Sequence, residues 1–88
     1  MRHRPHRTHP EIVRRLRRAE GQLRTIARMV ETGKPCAAVA MQLQAAERAI
    51  QQAKKTFIHD HIDHCLERSG SRASTDVIDE FKEISKYL

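Results

Sequence analysis

Two apolar rows, each stepping through the chain in alternating fours and threes, limit what this sequence can fold into. The first runs Ile12, Leu16, Ala19, Leu23, Ile26, Val30. The second runs Cys36, Val39, Leu43, Ala46, Ile50, Ala53, Phe57, and a further step of four lands on His61 and then on Cys65. Such a seam places every apolar side chain on one stripe of a helix and requires another helix against it. No strand pattern, repeat or low-complexity stretch competes with that reading.

Local signals bound the helices. Thr8-His9-Pro10-Glu11 reads as a helix start: Thr8 can cap, Glu11 stands where a capping box needs an acid, and Pro10 suits the first turn. Thr32-Gly33-Lys34-Pro35 ends the first helix, with Gly33 suited to the left-handed position. Gly21 interrupts the first seam, which predicts a close backbone approach there. Ser69-Gly70-Ser71 breaks the second helix. Ser74 or Thr75 can cap a third, whose apolar face is Val77, Ile78, Phe81, Ile84 and Leu88. The expected fold is all-α: helices over about 9–32, 35–69 and 74–87 in a single domain, after a flexible basic arm at 1–8.

At 88 residues the chain buries a limited core, and small domains of this kind lean on a metal or a partner chain. Two cysteines cannot make a disulfide framework. With no secretory signal or membrane span visible, a reducing cytoplasm is expected. The formal net charge is +6, and nine of the 12 arginines precede residue 29. Arginine-rich, uneven charge is the footprint of a phosphate-bearing partner. With one Tyr, two Phe and no Trp, the chain is thin in stacking platforms for single strands.

The stretch His59-Asp60-His61-Ile62-Asp63-His64-Cys65 concentrates transition-metal ligands. The seam register divides it. His61 and Cys65, at i and i+4, share one helix face, whereas His59 and His64 fall off the seam, His64 as a group that would orient a ligand. Cys36 also lies on the seam, but a continuous helix puts it roughly 37 Å from His61 at 1.5 Å per residue. Cys36 can therefore join His61 and Cys65 only if two chains pack antiparallel. A twofold dimer would then hold two equivalent sites in a four-helix bundle. An enzyme using Cys and His as nucleophile and base is not expected, for want of a Gly-rich loop or chain enough for a cleft. A purely structural DNA binder would account for the arginines but not for the ligands on the seam.

Arg14-Arg15-Leu16-Arg17-Arg18 leading into Gly21-Gln22-Leu23, then Cys36, Gln42-Leu43-Gln44-Ala45-Ala46, His61 and Cys65 resemble the CsoR/RcnR/FrmR family of small helical bacterial repressors. The resemblance implies dimers pairing into a flat homotetramer. It implies an apo form that binds double-stranded operator DNA and lets go when metal binds. It puts Cys36, His61 and Cys65 on ligand positions, Arg15 on a DNA-linked position with Arg14, Arg17 and Arg18 beside it, and Glu80 in the coupling network. Lys54 and Lys55 extend the basic surface. The nickel/cobalt branch is the nearest, with a histidine of the arm, His6 or His3, completing a site for Ni(II) or Co(II). The alternative is Cu(I) on Cys-His-Cys alone, although Pro35 stands where the copper branch often has Tyr. Arg2 in place of a proline argues against the formaldehyde-responsive branch. A persulfide sensor would use Cys36 and Cys65 as a dithiol.

Overall fold

The computed structural model describes residues 8–69 and 75–88. They form three helices: α1 (His9–Glu31), α2 (Cys36–Ser69) and α3 (Thr75–Ser85). Among the described residues there is no strand, and no helix is long and apolar enough to cross a membrane. The molecule is elongated, 57 × 23 × 17 Å, because α1 and α2 lie side by side as a hairpin.

The start of α1 differs from the capping box expected. Thr8 has φ −80° and ψ −15° and makes no side-chain cap bond. A capping hydroxyl reaches the second or third helical amide from an extended backbone, and the helical angles of Thr8 turn it away. The buried Oγ1 of Thr8 has no hydrogen-bond partner among the described residues. Glu11 instead accepts from Arg15, at 3.0 Å from Nη2 and 3.3 Å from Nε. The other end follows expectation. Gly33 has φ 72°, its amide donates to the Val30 carbonyl, and the Lys34 amide donates to that of Met29. These paired bonds close the helix and reverse the chain.

The seams split into two rows at heptad spacing. Ile12, Ala19 and Ile26 of α1 are buried with Ala46 and Ala53 of α2. The two alanines let the helix axes approach closely. The alternate row, Leu16, Leu23, Val30, Leu43, Ile50 and Phe57, stays between 42% and 62% exposed. The hairpin therefore uses half of each seam and leaves the other half uncovered. Among the described residues Gly21 has no close neighbour from another helix: an added Cβ would meet only the Arg24 guanidinium, at 3.7 Å. The expected close approach is absent because residue 21 points away from α2.

Helix α3 folds back on the far end of α2, where Ile58 is buried. Ile78, Phe81, Tyr87 and Leu88 remain largely exposed, so its apolar face is only partly covered. Ser74, one of the two expected caps of this helix, lies outside the described residues.

Candidate metal centre

The seam continues into the ligand stretch as one helix. Cys36 is the first residue of α2 and is exposed. His61 and Cys65 lie on the last turns of the same 34-residue helix. Among the described residues, no group of three or more His, Cys, Asp or Glu side chains comes together to hold a metal. One chain thus carries Cys36 at one end of α2 and, near the other end, His61 with Cys65 one turn further along the helix. Their chemistry suits a thiophilic or borderline transition metal.

His61 is the best-defined member. Its Nε2 lies 2.5 Å from Oε1 of Glu80, with the two side chains 20% and 31% exposed. An ionised carboxylate can only accept, so a neutral ring in this contact carries its proton on Nε2 and its lone pair on Nδ1. The contact with Glu80 sets the plane of the ring, as the partners of metal-bound histidines commonly do. His64 is half-buried and His59 is exposed.

The hairpin adds a neighbour that the periodicity does not reveal. His9, the first residue of α1, stacks on Phe57 with ring centroids 5.6 Å apart and planes 18° from parallel. Phe57 also stacks on His61, at 6.4 Å and 25°. Nε2 of His9 lies 4.0 Å from Oδ2 of Asp60. The beginning of α1 therefore adjoins the His61 end of its own chain. The signal was present in the sequence: an antiparallel hairpin turning at 32–35 sets residue 9 opposite the residues near 58. His3 and His6 lie outside the described residues.

The basic residues divide between two surfaces. Arg14, Arg15, Arg17 and Arg18 are all exposed on α1. At 3.6 residues per turn, Arg14, Arg17, Arg18, Arg24 and Arg28 fall within an arc of about 120° opposite the buried row. Arg15 lies off that arc, held by Glu11, and Arg17 Nη1 is 3.8 Å from Oε1 of Glu20. Lys54 and Lys55 are elsewhere, bordering a cleft with Ile58, His59, Tyr87 and Leu88 where α2 meets the tail of α3.

Known proteins share both the sequence and this fold. Residues 8–87 match the family described as metal-sensitive transcriptional repressor. The copper-sensing transcriptional repressor CsoR of Bacillus subtilis (strain 168) is 32% identical over 81 residues, spanning 86% of this chain and 80% of its own length. The copper-sensing transcriptional repressor RicR of Mycobacterium tuberculosis is 41% identical over 56 residues, 64% of this chain and 58% of its own length. The nickel-responsive transcriptional regulator InrS superposes with a TM-score of 0.82 at 26% identity, over 99% of this chain and 100% of that one.

Proposed function

The chain belongs to the metal-sensitive transcriptional repressors, and from that premise we propose that it holds operator DNA when metal-free and releases it on binding Ni(II) or Co(II). The relationship that carries this reading is the placement of Cys36 and of His61 with Cys65 at opposite ends of one helix. Two antiparallel copies bring a Cys36 to each His61–Cys65 pair. The same pairing covers the exposed row Leu16, Leu23, Leu43, Ile50 and Phe57 and makes a four-helix bundle. The partly covered face of α3, with Phe81 and Leu88, is where such dimers would pair into a tetramer.

The position of His9 supports an imidazole-completed site for Ni(II) or Co(II). His9 opens α1 against Phe57, which also stacks on His61, and His6 is three residues upstream of His9 in sequence, a span of at most about 11 Å. A bound metal would supply a cross-link between the two chains at Cys36, His61 and Cys65, with His6 or His3 as the fourth donor. The arginines of α1 hold the phosphate backbone in the absence of metal. With no helix-turn-helix among the described residues, part of the sequence preference comes from duplex shape.

A second reading, Cu(I) on Cys36, His61 and Cys65 alone, is favoured by the copper-sensing relatives. Fluorescence anisotropy of a labelled duplex, titrated with Ni(II), Co(II), Zn(II) and anaerobic Cu(I), separates the two. Release by Ni(II) or Co(II), lost in His6→Ala or His3→Ala, supports the first. Release by Cu(I) alone, with both substitutions silent, replaces it with the second.

A further inference from the structure

Resting on the repressor reading above, we infer that His9 and Phe57 form the contact through which the state of His61 reaches the DNA-facing helix, and that His9 does so without being a ligand.

His61 is held on one side by Glu80 of α3 and stacks on Phe57, one turn earlier in α2. Phe57 in turn stacks on His9, the first residue of α1. Three rings from two helices thus make a continuous row from a candidate ligand to the end of the helix that carries the arginines. Arg14 follows His9 by five residues, and Glu11, which holds Arg15, by two. No other aromatic residue of α1 could make this connection, since the helix has no Phe, Tyr or Trp.

The row transmits because rings in face contact cannot turn independently. If His61 held a metal, its ring would be fixed by that bond as well as by Glu80. Phe57 must follow or part from the imidazole face, and His9 meets Phe57 as the next ring. His9 is tied into α1 by the helix backbone, with Pro10 restricting φ directly after it. A displacement there therefore tilts the first turn rather than being absorbed by a flexible linker. Both ligands bias one two-state element, the packing of the first turn of α1 on α2, which is what a coupling free energy requires.

The ring face, rather than the imidazole nitrogens, is what this role uses. The test therefore compares His9→Phe, which keeps a ring, with His9→Ala, which does not, and adds Phe57→Leu. For each full-length variant three quantities are measured: Ni(II) and Cu(I) affinity by chelator competition, duplex affinity without metal, and duplex affinity at metal saturation. The DNA is a labelled duplex selected by the metal-free wild type from a random pool. The ratio of the two duplex affinities is the coupling. His9→Ala and Phe57→Leu are expected to lower that ratio at least about tenfold, while in His9→Ala metal affinity and metal-free duplex affinity change less than about threefold. His9→Phe is expected to restore the ratio. An unchanged ratio in His9→Ala overturns the inference. So does His9→Phe losing metal affinity, because His9 is then a ligand. If the wild type itself shows no metal-dependent release, the repressor reading fails and takes this inference with it. Circular dichroism melts confirm that each variant is folded when measured.

Discussion

Glu80 of α3 and His61 of α2 meet at 2.5 Å through Oε1 and Nε2. This contact ties the third helix to the candidate ligand and, in a neutral ring, leaves the lone pair on Nδ1. Glu80→Gln keeps an acceptor but drops the charge. It is expected to weaken metal affinity by about tenfold, the low end for groups that orient a ligand, and Glu80→Ala by more. Loss of the charge-assisted bond also costs about 1 kcal/mol of stability in this half-buried setting. Chelator competition and thermal melts measure the two effects. Full metal affinity in Glu80→Ala would show that the ring is oriented by other groups.

The distance between Cys36 and His61 along α2 yields a complementation test. Cys36→Ala and His61→Ala chains, each alone, are expected to bind no metal at the site. Mixed by unfolding and refolding together, they form heterodimers in which one site is doubly broken and the other is intact. The thiolate charge-transfer absorbance should then reappear at one site per heterodimer. If the mixture binds no more than its components, the shared-site arrangement is wrong.

Ile50 sits at the middle of the uncovered row, 42% exposed. Placing a carboxylate there leaves the α1–α2 contacts at Ala19 and Ala46 untouched but buries a charge in any bundle formed with a second copy. Ile50→Glu is expected to shift the protein to a monomer in light scattering and to abolish metal binding with it. A stable Ile50→Glu dimer would place the interface elsewhere.

Glu11 holds the Arg15 guanidinium at 3.0 Å and so competes with phosphate for it. Glu11→Gln is expected to tighten metal-free DNA binding and steepen its salt dependence. Arg14→Ala should do the reverse, lowering the slope of log K against log salt by about 0.9 for each phosphate that is no longer neutralised. Titrations at several salt concentrations read both. A slope unmoved by Arg14→Ala would take the outer arc of α1 out of the interface.

The sequence by itself determined the three helices, the turn at Gly33 and the ligand types on the second seam. Heptad spacing, a left-handed glycine and an i, i+4 pair are local properties that any fold must respect. The incompatibility of Cys36 with His61 in one chain was also legible, because rise per residue is fixed. Only the tertiary structure decided which half of each seam the hairpin consumes. Ile12, Ala19 and Ile26 carry the same periodic signal as Leu16, Leu23 and Val30, and the packing of α1 on α2 alone separates them. Tertiary packing likewise placed α3 against the far end of α2. It also brought His9, Phe57 and His61 into one row and set Glu80 on His61. His9 and Phe57, and Glu80 and His61, are distant in sequence; the length of the hairpin sets residue 9 near residue 58, but periodicity within a helix carries no information about which side chains then meet.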